Sequence, residues 1–395
     1  MPTAKSQTLS IYLAAGSIFM ALAVRMFALP LRVDELGGDK VAVGLLFSVG
    51  TVTAAGLSLP AGLLADRFGK RKLLLFSILV GGICQLGMGL ATSVPPLFVW
   101  QALAGVGAAA SQAALFAALA DAVPSSRLGR AMGWLTLAFQ VGFLAGPAAA
   151  GAALRWLTLP EALAISTALF AVALALTLAG IRPAPPVETR WNLVEPLRQL
   201  ASRRAFAVAA VGLLGATMVW GTLQAYLPLF GKEQLRLPEA QIGYMIALQA
   251  VANGLARIPG GRLVDRIRKR GLLAVLGLGT YAVSIAVLPH ISGFWSATLL
   301  LSLSVPLLAT TYLALSVLFT NLSTAETRGV AMGAYGTVLY LGLGLGPVVF
   351  GTVMERAGYL AGFTACAAAG LALAGVAAVL RSDRLVRLAT SRLAA

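Results

Sequence analysis

The sequence specifies an all-α membrane protein: twelve transmembrane helices in two pseudo-symmetric six-helix bundles. Three observations lead there. The chain has 395 residues, 59% of them hydrophobic and only 11% charged, whereas a soluble domain carries roughly 25% charged residues. Its uncharged stretches are long enough to cross a bilayer, which takes ~20 residues. The second half of the chain also repeats the first.

In chain order, stretches with few or no charges run from 10 to 31, 41 to 64, 73 to 92, 96 to 120, 131 to 154, 160 to 181, 205 to 230, 240 to 260, 271 to 289, 294 to 319, 329 to 354 and 358 to 380. A lone Lys5 precedes the first, with no small-residue cleavage site after it, which reads as a retained helix rather than a removed signal. That span ends at the acids Asp34, Glu35 and Asp39, the fourth at Asp121, and the ninth at Pro289 and the single histidine, His290. All are rich in Ala, Leu, Val and Gly, without the alternation of barrel strands. The longest polar stretch, 182 to 204, holds Pro183, Pro185, Pro186 and five arginines. It reads as a cytoplasmic linker with one amphipathic surface helix around Trp191 to Leu200. The linker divides the chain into a bundle over 1–181 and a second over 205–395 that ends in a short basic tail.

The net charge is +16, and its placement matters more than its size. With the N-terminus inside, 22 of the 30 basic residues fall on the inner side, which places both termini in the cytoplasm and the chain in the cytoplasmic (inner) membrane. The basic excess is thus a topology signal and a contact for anionic lipid, and nucleic acid has no place as a partner. Cys84 and Cys366 each lie deep in an apolar stretch, as small buried hydrophobes. No span holds a cluster of His, Asp or Glu that could bind metal or supply acid and base, and no Walker-type loop is present. No enzyme, cofactor or ATP site is therefore expected.

The repeat carries the strongest signal. Residues 129–151 read GRAMGWLTLAFQVGFLAGPAAAG and 329–351 read GVAMGAYGTVLYLGLGLGPVVFG. At an offset of 200, Gly129, Ala131, Met132, Gly133, Gly142, Gly146, Pro147 and Gly151 all recur. GLLADRFGKR at 62–71 answers GRLVDRIRKR at 261–270 at an offset of 199, and ALPL at 28–31 answers YLPL at 226–229 at 198. Parallel halves of this kind place a transporter's substrate between them, near the bilayer midplane.

These residues resemble the major facilitator superfamily over essentially the whole chain. Gly62, Asp66, Arg67, Gly69, Lys70 and Arg71 look like its signature between the second and third helices, and Gly261, Asp265 and Arg266 like the second-half copy. The resemblance implies a cytoplasmic gate in which Asp66 caps the eleventh helix near Gly329 and Arg71 pairs with Asp121, latching the outward-facing state. Asn321 stands where the second half would place Asp121, so the mirrored latch is weaker. Gly142, Gly146, Pro147 and Gly151 look like the signature of the efflux antiporters, which favours export. The copy at Gly346 and Pro347 leaves ancestral helix packing as the other reading. Gln101 occupies the position of the arginine in the antiporters' R-x-x-Q-G pattern. Proton coupling, if the protein uses it, therefore falls to Asp34, Asp66 or Asp121.

Ionisable groups inside the membrane mark function, and two arginines lie within the spans, Arg25 and Arg257. Arg25 either snorkels to the outer interface, pairs with Asp34 or Glu35, or faces a cavity where it would bind an anionic or zwitterionic head group. In the eighth span Gln249, Asn253 and Arg257 share one helix face. The first two read as substrate contacts and Arg257 as part of the gate. Gln140, Trp220, Gln224, Tyr335 and Tyr340 lie at depths suited to a central cavity, with helix packing as the alternative. The expected function is a monomeric secondary transporter that moves a small amphipathic molecule by alternating access, with export preferred. An organic-anion or lipid-like carrier using Arg25 is the second reading.

Overall fold

The computed structural model describes residues 4–124, 127–182, 198–199, 202, 204–266, 270–321 and 328–379. Most of the proposed linker, with all but residues 198–199 of its surface helix, lies outside the described residues, as does the basic tail.

Among the described residues the chain is helical. The first half comprises α1 (Ala4–Glu35), α2 (Lys40–Phe68), α3 (Lys70–Leu90), α4 (Val94–Ala122), α5 (Leu128–Ala153), α6 (Leu159–Ser166) and α7 (Ala168–Gly180). The second comprises α8 (Arg204–Glu233), α9 (Glu239–Arg266), α10 (Arg270–Val287), α11 (Phe294–Asn321) and α12 (Arg328–Val379). Ten helical segments are long and apolar enough to span a membrane. The sixth expected span is the α6–α7 pair, which counts as one segment, Leu159–Gly180. The eleventh and twelfth both lie in α12, which breaks at Gly358, with φ +79°. α9 has spanning length, 28 residues, but a more polar composition, so it falls outside the ten.

Short connections follow from local chemistry. Asp39 caps α2, its Oδ1 accepting the Ala42 amide at 2.7 Å. A single residue, Gly69, separates α2 from α3 at φ +89°, a conformation that glycine adopts without strain. Thr158 and Glu161 form a reciprocal capping box at the start of α6.

The helix ends define two faces. Arg67, Lys70, Arg71, Arg127, Arg130 and Arg182 lie at one, here the basic face; the α1–α2, α3–α4, α5–α6, α8–α9 and α10–α11 turns and Gly358 lie at the other, the far face. Trp156 and Trp295, 79% and 68% exposed, sit at far-face helix ends, as interfacial aromatics do. Leu103, Leu255, Leu299 and Leu303 are exposed along the helices, where hydrocarbon would meet them.

One core crosses both halves near the far face, joining Phe27, Leu31, Leu46 and Ala150 to Leu223, Phe230, Ile242, Met354 and Phe363. Toward the basic face the apolar interior divides. Ile11, Leu74, Leu115, Leu119 and Leu135 form a core in the first half, and Phe206, Leu213, Leu315 and Phe319 a separate one in the second. The halves are therefore fused at the far face and joined toward the basic one by a smaller cluster of Ala54, Ala61 and Ala109 with Tyr340.

Candidate functional site

Two antiparallel seams join the halves. In the first, α2 runs beside the first arm of α12. A Cβ on Gly44 would overlap the Pro347 carbonyl, and one on Gly351 would lie 3.0 Å from the Lys40 carbonyl oxygen. Contact continues toward the basic face: Thr337 Oγ1 donates to the Ala55 carbonyl at 3.2 Å, and Leu59 reaches Gly333. In the second, α5 runs beside α9 with matching geometry. A Cβ on Gly243 would overlap the Pro147 carbonyl, and one on Gly151 would lie 2.6 Å from the Glu239 carbonyl oxygen. Nearer the basic face, Gly133 on α5 and Gly254 on α9 meet nothing within 4 Å. Gly142 and Gly146 pack on α1 backbone, as Gly342 and Gly346 pack on α8, so the motif serves helix packing alike in both halves.

Charges reinforce the far face. Lys232 Nζ lies 2.7 Å from Asp34 Oδ2, and Lys40 Nζ lies 3.1 Å from Glu233 Oε2, each pair bridging the halves. The Lys40 amide donates to Glu355 Oε2 at 3.0 Å, and its ammonium lies 5.0 Å from the Tyr359 ring centroid. Tyr226 is buried beneath this rim and donates its hydroxyl toward the Lys40 and Pro347 carbonyls, at 2.7 and 2.9 Å.

The sequence profile of the Major Facilitator Superfamily matches residues 11–347 and, in a second register, 233–393. The chain belongs to that superfamily. It is thus a multi-pass membrane transporter and not an enzyme. The 3-(3-hydroxyphenyl)propionate transporter of Escherichia coli K12 is 27% identical over 95% of this chain and 90% of its own. A probable sulfoacetate transporter of Cupriavidus necator is 27% identical over 84% and 83%. The crystal structure of a bacterial homolog of the human lysosomal transporter Spinster, inward-facing and unoccupied, has the same fold, with a TM-score of 0.78 at 16% identity over 98% of both chains.

Within this superfamily fold, Arg25 is the exceptional side chain. It is 6% exposed, its electrostatic neighbour is the Cys84 thiol on α3, and its Nε is buried without a hydrogen-bond partner. Among the described residues no carboxylate pairs with it: Asp34 is held by Lys232, and Glu35 by Arg32 at 2.6 Å. The Asp34/Glu35 pairing is absent because both acids are engaged elsewhere, and at 6% exposure the guanidinium does not reach the surface of the bundle as a snorkelling arginine would.

The other expected substrate residues divide. Gln140 Nε2 and Asn253 Oδ1 are buried without partners. Gln249 is instead satisfied, donating to the Tyr281 hydroxyl at 3.4 Å, and Trp220 lies 6.0 Å from the same ring. Tyr335 packs edge-on against Phe319. Tyr340 crosses between halves, donating to Gln112 Oε1 at 2.8 Å. Gln224 is half-buried on α8. Gln101 packs on Gly50 inside the first half.

At the basic face, Asp121 pairs with Lys70 rather than Arg71. Arg71 turns the other way and donates to the Leu178 carbonyl at 2.7 Å, tying α3 to α7. Adjacent residues on a helix point about 100° apart, so only one of them can face α4. Arg67 lies exposed over the Phe68 ring. The side chains of Asp66, Arg257, Asp265 and Arg266 lie outside the described residues. Both cysteines are buried, as expected.

Sequence reasoning missed Gln112, Gln85 and the far rim. Gln85 is wholly buried and donates to Ser166 Oγ at 2.7 Å and to the Ala21 carbonyl at 3.2 Å, tying α1, α3 and α6 together. The rim had a visible signal: Asp34 and Lys232 are opposite charges 198 residues apart, the offset of the repeat around them.

Proposed function

We propose that this transporter carries a small amphipathic organic anion across the cytoplasmic membrane by alternating access, with Arg25 as the counter-charge. One observation carries the reading: a guanidinium buried without a carboxylate in an interior poor in charge. An isolated buried ion is strongly disfavoured unless an opposite charge or water reaches it, and a ligand's acid group would supply what the chain leaves out. The full-length relatives named for hydroxyphenylpropionate and sulfoacetate, both organic anions, support this. Export, the preferred direction, rests on the Gly142, Gly146 and Pro147 signature alone, whose glycines pack equally in both halves.

The far-rim charges hold the outer side shut in the state described. Asp66, Arg67, Arg71, Asp121, Arg257, Asp265 and Arg266 form the cytoplasmic gate that closes when the rim opens. Both termini are cytoplasmic, the monomer is the working unit, and a proton is the coupling ion, exchanged at rim and gate carboxylates such as Asp34 and Asp121.

The test is ligand binding to purified protein, using 3-phenylpropionate and its neutral amide. Arg25→Gln raises the Kd of the acid by at least about 30-fold, the lower bound for stripping one partner from a buried charge pair, and barely moves the amide. Equal affinity of wild type and variant for the acid sinks the proposal. Oriented vesicles read the direction of flux.

A further inference from the structure

We infer that Gln140 and Asn253 read a hydroxyl group on the substrate at the end remote from its anion, so that the substrate class is a hydroxylated organic acid rather than a simple one. The inference rests on the anion reading of Arg25.

The α5–α9 seam fixes the geometry. Pro147 meets Gly243 and Gly151 meets Glu239, so the helices run antiparallel with facing residue numbers in a constant sum. Gln140, two turns from Pro147 on the same face, is level with residue 250, and Asn253 follows one turn nearer the basic face. Asn253 lies on the opposite side of α9 from Leu255, which is 72% exposed to the surroundings of the bundle. Both amides stand where the seam begins to part, beyond which Gly133 and Gly254 meet nothing.

Each amide holds one buried polar atom without a partner: Gln140 Nε2, a donor, and Asn253 Oδ1, an acceptor. Gln85 and Gln101 also hold an unpartnered oxygen, but both lie within the first half; Gln140 and Asn253 come from the two helices of one seam between the halves. An alcohol or phenol on the substrate can accept one hydrogen bond and donate another, and so meets both atoms at once. Arg25 is at a different depth. Gly142 packs on Met20 and Gly146 on Val24 of α1, which sets Arg25 level with Pro147, about 11 Å along the axis from Gln140. Anion and hydroxyl are thus recognised at separated points, Arg25 and Gln140 from the first half and Asn253 from the second.

A site built to hydrogen-bond a hydroxyl discriminates strongly against the analogue lacking it. The test compares 3-phenylpropionate, its 3-hydroxyphenyl form and the corresponding 3-(3-hydroxyphenyl)propan-1-ol by calorimetry on the full-length protein. The hydroxylated acid is expected to bind wild type at least tenfold more tightly than the plain acid, and Gln140→Leu or Asn253→Leu to reduce that ratio below threefold. If wild type binds the two acids equally, the hydroxyl inference falls and the Arg25 reading stands. If neither acid binds, or the alcohol binds as well as the hydroxylated acid, both fall. A ratio that survives in both leucine variants overturns the assignment to these residues.

Discussion

The two seams are copies of one design that have come apart in use. Both set a proline carbonyl, Pro347 or Pro147, against a glycine, Gly44 or Gly243, at the far face. The α2–α12 seam then stays in contact past Ala55 to Leu59, and Tyr340 hydrogen-bonds to Gln112 beside it. The α5–α9 seam parts beyond its first turns. Tyr226 accounts for part of the difference: its hydroxyl binds the Lys40 and Pro347 carbonyls, whereas the repeat places Ala28 at the equivalent position, with no hydroxyl to offer. On this difference in packing, one seam is expected to act as the hinge and the other as the moving edge.

Glycine replacements test that division most severely. Gly344→Leu, in the hinge against Ser48 and Thr51, is expected to overpack a closed contact at a cost of about 1–3 kcal/mol, lowering the melting temperature by several degrees and flux more than tenfold. Gly254→Leu meets open space in this state, so it leaves melting unchanged and blocks flux only when the moving seam must close. Identical behaviour of the two variants in a thermal-melt and proteoliposome comparison would abolish the distinction.

Tyr226→Phe is the next step down. It removes one hydroxyl proton shared between two carbonyls, at a net ~0.5–1.5 kcal/mol, and leaves both carbonyls within the hinge without it. Hydrogen exchange in the first turn of α2 should rise, with no change in the first turn of α9; a rise in α9 instead would assign the hinge wrongly.

The rim ion pairs come last. Asp34 and Lys232 are 36% and 41% exposed, and such pairs contribute about 0.2–1 kcal/mol and weaken with salt. Lys232→Ala should lower melting slightly at low ionic strength and not at all in strong salt, while the swap of Asp34→Lys with Lys232→Asp restores it. A loss that is independent of salt would mean that the lysine acts by packing.

Much of this was legible in one dimension. The spanning segments other than the more polar α9, and the doubled Gly-Pro motif at the seams, follow from hydropathy and from a repeat at nearly constant offset. Arg25 stood out because charge is so scarce in the spans. What periodicity could not supply was the rotation of each helix about its axis. Lys70 and Arg71 are neighbours in the sequence, and only the setting of α3 decides which meets Asp121 and which meets Leu178. Gln249 and Asn253 share a helix face, yet Tyr281, from another helix, satisfies only the first. α9 is too polar to register as a span by composition, for the same reason that it is a candidate for substrate contact.

The Asp34–Lys232 contact has a bearing on ancestry. A molecule assembled from two copies of the first half would set aspartate against aspartate at this point, and two copies of the second would set lysine against lysine, each a repulsion where the native chain has attraction. At this contact the duplicated halves have diverged into complementary partners.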